Sequence, residues 1–312
     1  GGNIPRQPSD WYDTECAPGR KGSWRLTPAH STQGFYSDAN IRHLVNFAAA
    51  RNIRIVPEIS IPSHAGAAIH AYPHLGNPAL VNEAPHGGNQ TLWPSAASLS
   101  FMEAAFHHAC SLFPSPTIHI GGASTDWGPW ESDLSLMRAG LTSGAAIERL
   151  FIDRALRTLH FHGRRAAAWD SLTRAYPTPP PGTTLLAHRP GNAGRRAAES
   201  SGAPWILADA DILTLSHPGR TNSPLEPAHT LFDDLTQALR GERLKGVEAV
   251  AWSASVTTPD LLFYHLLPRL LVVAEAAWHG EDSLPWDKLA PLVEQEMAHL
   301  RRTIPYWNPQ RP

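Results

Sequence analysis

The sequence has few of the features that mark disulfide-rich, metal-binding, nucleic-acid-binding or membrane-surface proteins. Its two cysteines, Cys16 and Cys110, are too few for a disulfide framework and form no metal-type cluster, although a disulfide between them stays open. No run of Lys or Arg stands out and the formal net charge is −2. Neither nucleic acid nor an anionic membrane surface is therefore predicted as a partner.

Long apolar stretches are also absent. No run approaches the roughly 18 residues that a transmembrane helix needs, so no transmembrane segment is predicted. Residues 1–5 lack the charged and apolar regions of a signal peptide. We therefore expect a soluble chain, and the length of 312 residues with 42% hydrophobic composition predicts one domain with a large core.

Proline and tryptophan, by contrast, are plentiful, with 29 and 11 residues respectively. Proline is frequent where strands and helices meet loops, and exposed tryptophans line sugar-binding clefts by stacking on pyranose rings. For most of the tryptophans, packing in the core is the simpler interpretation.

From residue 37 onward, helical patterns alternate with short strand patterns. Ser37 to Asn40 can cap a helix with apolar residues at helical spacing. Further helices are predicted at 95–113, 142–162, 231–240, 260–278 and about 287–302, and strands at 53–59, 117–122, 165–170, 184–187, 205–210 and 246–254. Most of these strands are separated by crossovers long enough for parallel pairing, which predicts an α/β fold.

The strand at 117–122 carries the clearest functional signal. It breaks at Gly121 and Gly122 and opens into a polar, aromatic loop. In a parallel α/β barrel, acid–base groups are expected just past the carboxyl end of such a strand. Here the next two residues are Ala123 and Ser124, and neither can donate a proton or act as a carboxylate near neutral pH.

Six ordered sequence blocks between residues 34 and 302 carry a family pattern. They lie at 34–37, 57–73, 113–122, 169–170, 246–253 and 267–278. In this order and spacing they resemble the catalytic barrel of glycoside hydrolase family 20, the β-N-acetylhexosaminidases.

The resemblance implies a (β/α)8 TIM-like barrel over residues 34–303, with its cleft at the carboxyl ends of the strands. It also implies an N-acetylhexosamine glycan as ligand, a secreted or periplasmic setting and no cofactor. Residues 1–33 are predicted to form an irregular arm and 304–312 a tail. Only six strands are evident, so the first two barrel strands either lie in the arm or are absent from this chain.

The departures from the family pattern lie in that cleft. In the family, an Asp-Glu pair follows the two glycines; the Asp orients the substrate's acetamido group and the Glu protonates the leaving oxygen. Five carboxylates of the pattern are replaced in this sequence, at Ser60, Ala123, Ser124, Ser171 and Ala254, and Ser63 replaces a glycine. The resemblance therefore predicts a catalytically inactive relative that acts as a binding module or as a subunit of a larger assembly with a protein partner.

One alternative keeps the chain active, with Asp126 as a relocated acid. A shift of two residues moves a carboxylate by several Å, whereas catalytic groups must be positioned to within about 1 Å. A solvated loop residue is the simpler interpretation of Asp126.

Other residues match family positions without carrying chemistry of their own. Trp169 and Trp252 match the aromatic walls of the sugar pocket, where stacking on sugar and plain packing are equally supported. His64 is predicted at the cleft rim and Asp170, like Glu58, at a strand end. His119 is predicted to be structural, and the histidines at 107, 108, 160 and 162 offer no convincing ligand set, so no metal site is predicted.

Overall fold

The computed structural model describes residues 36–80, 90–123, 125–216, 225–252, 256 and 258–304. The chain divides into two compact units between Leu185 and Leu186. The predicted arm at 1–33, Ser124 and Ala254 lie outside the described residues, as does the predicted tail from residue 305 onward.

Parallel strands form the centre of the first unit. They are β1 (Glu58–Ile61), β2 (Thr117–Gly121) and β3 (Arg165–Trp169), followed by β4 (Thr183–Ala187), within which the division falls. β1 pairs with β2 and β2 with β3, and His119 on β2 lies opposite Glu58 and Ala167. The carboxyl ends of β1, β2 and β3 therefore lie along one edge.

Helices alternate with these strands. In chain order they are α1 (Asp38–Ala49), α2 (Gly66–Ala71), α3 (Ala96–Leu112), α4 (Gly128–Glu131), α5 (Leu134–Arg138) and α6 (Gly144–Phe161). Ser37 caps α1 as predicted, accepting from the Asn40 amide. The long helices α3 and α6 pack together, and Phe106, Ile147 and Phe151 from them are fully buried.

The second unit continues the alternation. Its strands β5 (Trp205–Leu207) and β6 (Leu244–Val247) are parallel neighbours. Its helices are α7 (Ala193–Ser201), α8 (Ala210–Leu213), α9 (Leu225–Ala238), α10 (Pro259–Leu266), α11 (Arg269–His279) and α12 (Trp286–Thr303). Trp205, Leu235 and Val272 are fully buried and mark its core.

Two predicted strands differ in their bounds from the observed strands. The strand predicted at 53–59 is observed only from Glu58, because among the described residues β1 pairs with β2 alone and the register starts at Glu58. The strand predicted at 246–254 runs from Leu244 to Val247, because its neighbour β5 has only three residues and their register ends at Leu207 and Val247.

The prediction of one continuous helix over 260–278 was also wrong. The chain breaks at Leu267 and Pro268, between α10 and α11, because proline lacks the amide proton that would continue the helix and restricts the residue before it. The two helices are bent by 49° relative to each other. Among the described residues no single helix is long and apolar enough to cross a membrane, although these two helices together have the necessary length and composition.

Cys110 is a buried free thiol at the end of α3. Burial raises the pKa of this thiol, and the nearby charge of Arg164 opposes the shift. Cys16, the other cysteine, lies outside the described residues.

The end of β2 allows a test of how tightly the strands approach one another. Gly121 has φ of +78°, and a Cβ placed on it would lie 2.7 Å from the Ser60 Cα. We expect Gly121→Ala to lower the free energy of unfolding by about 2–4 kcal/mol, since backbone strain and overpacking add. Urea unfolding would measure the loss.

Gly163→Ala is the matched control. Gly163 also has a positive φ, +65°, but nothing lies within 4 Å of its added Cβ. Its cost should be limited to the backbone term of about 1–2 kcal/mol. Equal losses in the two variants would show that the close approach at Gly121 has no energetic weight.

Candidate functional site

The loops after β1 and β2 meet where the sequence predicts the cleft. Gly122 and Ile61 are joined by a backbone hydrogen bond of 3.0 Å from the Gly122 amide. The Ser63 hydroxyl, which is buried, donates to the carbonyl oxygen of Ala123. Ser60, Ser63 and Ala123, three of the positions that depart from the family pattern, are thus brought together in the first unit.

Glu58 is the charged centre below these loops. Its Oε1 accepts from the Trp169 indole at 2.9 Å and from the Ser60 hydroxyl at 2.8 Å, and the His119 imidazole lies 3.4 Å away. Burial raises the pKa of Glu58, but His119 and the hydroxyl and indole donors outweigh it and lower the pKa to about 2. Glu58 is therefore a permanent carboxylate near neutral pH and cannot serve as an acid there.

His119 lies between two competing contacts. Its Nδ1 is 3.2 Å from the Gly121 amide nitrogen and 3.4 Å from the Glu58 carboxylate. An unprotonated Nδ1 accepts from the amide, whereas a protonated Nδ1 donates to the carboxylate, so the two contacts belong to different proton distributions. The ring is buried, and its Nε2 has no hydrogen-bond partner among the described residues.

Trp169 and Asp170 lie at the end of β3 and are both buried. Trp169 is only 6% exposed, and its ring is 5.0 Å from that of His119. Asp170 is fully buried and begins a 3₁₀ turn over Asp170–Arg174, which also holds the buried Ser171. For Trp169 these contacts favour packing over sugar stacking.

Asp126 and His64 are the exposed candidates. Asp126 accepts the Gly128 amide proton at 2.9 Å and so closes the turn that leads into α4. This geometry gives the carboxylate a local structural role. His64 is exposed and has φ of +58°, a conformation that few non-glycine residues adopt.

A hydrogen-bonded network around a buried carboxylate, which the sequence did not reveal, involves residues of the loop after β2. Glu148 on α6 is almost fully buried and accepts from the Thr125 hydroxyl at 3.0 Å and the Trp127 indole at 2.6 Å. Arg174 donates to the Thr125 carbonyl at 3.0 Å and lies 4.2 Å above the Trp127 ring. We call these four residues the Glu148 network.

The Glu148 network holds Thr125 and Trp127 in place through side-chain hydrogen bonds and packing. A Cβ on Gly144 would lie 2.3 Å from Trp127, so the indole packs directly against the backbone of α6. Burial raises the pKa of Glu148, opposed by the Trp127 and Thr125 hydrogen bonds and by Arg174. The spacing of Thr125, Trp127 and Glu148 in the sequence matches neither a helical nor a strand period. Their contacts could therefore not be predicted from the sequence.

The second unit carries its own polar and aromatic group at strand ends. Trp252 is 45% exposed, and its ring is 5.9 Å from that of His188, which follows β4. The His188 Nδ1 lies 2.8 Å from the Ala208 carbonyl, which requires the proton on that nitrogen. Asp209 is buried and caps α8, and burial raises its pKa.

No group of three or more His, Cys, Asp or Glu side chains in the described part of the chain could hold a metal ion.

The comparison with protein families decides the relationship. The model of glycosyl hydrolase family 20, catalytic domain, matches residues 19–281. The chain belongs to glycosyl hydrolase family 20. The match begins inside the segment predicted as an N-terminal arm. The family resemblance seen in the sequence is thereby confirmed.

Relatives of known function and structure are similar over most of this chain. A β-hexosaminidase of Porphyromonas gingivalis is 27% identical over 331 residues, which cover 94% of this chain and 40% of that protein. The chain spans about half the length of the curated relatives it matches.

Solved structures of family 20 enzymes share the fold. The Vibrio harveyi exo-β-N-acetylglucosaminidase in complex with N-acetylglucosamine has a TM-score of 0.77 at 22% identity, covering 89% of this chain and 47% of that one. An inactive mutant of that enzyme has one aspartate replaced by alanine. A Streptomyces plicatus β-hexosaminidase mutant with the same type of replacement, in complex with the product N-acetylglucosamine, has a TM-score of 0.73 at 24% identity and covers 90% of this chain and 57% of that one. The α/β barrel class predicted from sequence is confirmed.

The charge on Glu58 leads to a pH prediction. Because the pKa of Glu58 falls from 4.5 to about 2 on folding, its contribution to stability is present above pH 4.5 and is lost as the pH falls toward 2. We expect Glu58→Gln to be less stable than wild type at pH 6, with a difference that shrinks steadily toward pH 3. Urea unfolding at pH 6, 5, 4 and 3 would measure it.

A carboxylate on an exposed helix face serves as the control. Glu296 on α12 is exposed, so Glu296→Gln should follow the wild-type pH dependence closely. A constant difference between wild type and Glu58→Gln across the whole range would contradict the assignment of a depressed pKa to Glu58.

Proposed function

We propose that this family 20 member has lost glycoside hydrolysis and that its barrel serves as a non-catalytic binding module for N-acetylhexosamine-containing glycans. The observation that supports this most directly is the loop after β2, where Ala123 and Ser124 occupy the positions of the family's Asp-Glu pair. General acid catalysis contributes roughly 10²–10⁴-fold, and loss of the acetamido-orienting carboxylate adds to that.

The neighbouring carboxylates of the first unit are committed to other contacts. Glu58 accepts hydrogen bonds from Ser60 and Trp169 and has a pKa of about 2. Asp170 is fully buried, and Asp126 caps its own turn through Gly128. These roles argue against Glu58 or Asp170 as a replacement acid and leave Asp126 as the alternative for an active hydrolase.

The backbone of the former acid loop is nevertheless well held. The Ser63 hydroxyl binds the Ala123 carbonyl, and the Glu148 network fixes Thr125 and Trp127. A loop kept in place without its acids suits binding better than turnover, because binding needs shape and hydrogen bonds but no proton transfer. The Streptomyces plicatus enzyme gives a precedent, since its aspartate-to-alanine mutant still holds the product N-acetylglucosamine.

Activity is the first test. We expect the full chain to hydrolyse 4-nitrophenyl N-acetyl-β-glucosaminide no faster than the uncatalysed background, as should Asp126→Asn. An active family 20 enzyme assayed in parallel shows that the substrate and conditions are adequate. Turnover above background that is lost in Asp126→Asn would establish the alternative, an active hydrolase with a relocated acid. Turnover that survives in that variant would equally refute the loss of activity.

Glycan binding is the second test. Chitooligosaccharides titrated into the wild-type chain should release or absorb heat, and Trp252→Ala should weaken binding by about tenfold, because a stacked aromatic contributes on the order of 1 kcal/mol. Trp278→Ala is the matched control, since Trp278 is 86% exposed on α11. Absence of any heat change with wild type would refute the glycan-binding version.

A second version uses the barrel as a subunit of a larger assembly. It is supported by apolar side chains at the start of the first unit that remain exposed: Tyr36, Leu44, Phe47, Ile53 and Val56. Apolar patches of this kind mark interaction surfaces more often than isolated residues do. They lie on and around α1 and before β1, whose free edge has no partner strand among the described residues.

A further inference from the structure

Two histidines that are far apart in sequence meet on the outer surface of the first unit. The Nδ1 of His107 on α3 lies 2.7 Å from the Nε2 of His162, which follows α6 directly. Their ring centroids are 4.9 Å apart, with the planes inclined by 71°. Neither belongs to the loops at the carboxyl ends of the strands, so the pair is unrelated to the candidate cleft.

We propose that His107 and His162 form a two-imidazole site for a divalent first-row transition-metal ion, with water completing the coordination. The short contact requires one imidazole nitrogen to present a lone pair to the other, and imidazole is a preferred ligand of Ni²⁺, Cu²⁺ and Zn²⁺. A metal ion bound here replaces the single proton that the two nitrogens share.

The separation of the two nitrogens favours one geometry over another. Ligand nitrogens about 2.1 Å from a metal are about 3.0 Å apart at a right angle and about 3.4 Å apart at the tetrahedral angle. The observed 2.7 Å is closer to the first value. Square-planar or octahedral ions such as Cu²⁺ and Ni²⁺ therefore need less movement of the rings than tetrahedral Zn²⁺, and both rings must rotate so that their lone pairs converge.

The surroundings hold the two rings near one another. Glu103 on α3 and Arg154 on α6 form an ion pair that joins the same two helices, with the Arg154 Nη2 3.2 Å from Oε2. Phe161 is 78% exposed, and its ring lies 6.0 Å from that of His107 and 5.2 Å from that of His162. The Phe161 ring therefore contacts both imidazoles nearly edge-on, with interplanar angles of 83° and 89°.

The test is a calorimetric titration of Ni²⁺ into the untagged full chain at pH 7.5. We expect His107→Gln and His162→Gln each to remove the tightest equivalent of bound Ni²⁺ or to weaken it at least tenfold, since even groups that only support metal ligands contribute about 10–100-fold.

The chain has 17 histidines, so two controls are needed to separate this pair from the other histidines and from a loss of folding. His108→Gln changes the next residue on α3, which pairs with Asp38 at 3.1 Å, and should leave the titration unchanged. Thermal unfolding with and without Ni²⁺ checks the fold: wild type should be stabilised by the ion and the two variants should not. Unchanged affinity in both His107→Gln and His162→Gln, or an equal loss in His108→Gln, would overturn the proposal.

Discussion

The close approach of β1 and β2 at their carboxyl ends is the constraint on which the rest of the first unit's site depends. Gly121 leaves no room for a Cβ beside the Ser60 backbone, and the next residue donates its amide to Ile61. Only with the strands at this distance can the Ser63 hydroxyl reach the carbonyl of Ala123. The position of the Ala123 backbone is therefore set by this packing, whatever side chain residue 123 carries.

The same packing places one negative charge under the loops and surrounds it. Because Glu58 and His119 are register partners on adjacent parallel strands, their side chains share a face. Trp169 reaches the same carboxylate from β3. Together with the Ser60 hydroxyl these two residues surround the Glu58 carboxylate, which stabilises the sheet as an anion. Its depressed pKa follows from this arrangement. Glu58 is therefore a charge that supports the fold and is not available as an acid in the cleft.

The sequence predicted the order of helices and strands well, because burial patterns and caps are local. Ser37 caps its helix and all six strands are present in the described residues. It failed where structure depends on neighbours: residues 53–56 have strand-like composition but no partner strand in the described part of the chain, and Pro268 divides one apolar stretch into two helices. In the site, the substitutions at Ser60 and Ala123 were visible in sequence. The Glu148 network and the His107–His162 contact were not, since both join residues that only the packing of helices on the sheet brings together.

Under the proposed loss of catalysis, replacement of the cleft acids and retention of the contacts beneath them are related through their costs to stability. A catalytic carboxylate in a cleft is held at some cost to folding, since it must be partly desolvated and kept near like charges. Replacing Asp and Glu by Ala and Ser removes that cost, whereas replacing Gly121, Glu58 or Glu148 would add one through overpacking or unpaired buried donors. Once selection for turnover ends, substitutions are therefore expected to accumulate at the cleft while the residues beneath it stay fixed. The Glu58–His119–Trp169 group, whose contacts lie next to Ser60 at the end of β1, is where that expectation places the residues that stay fixed.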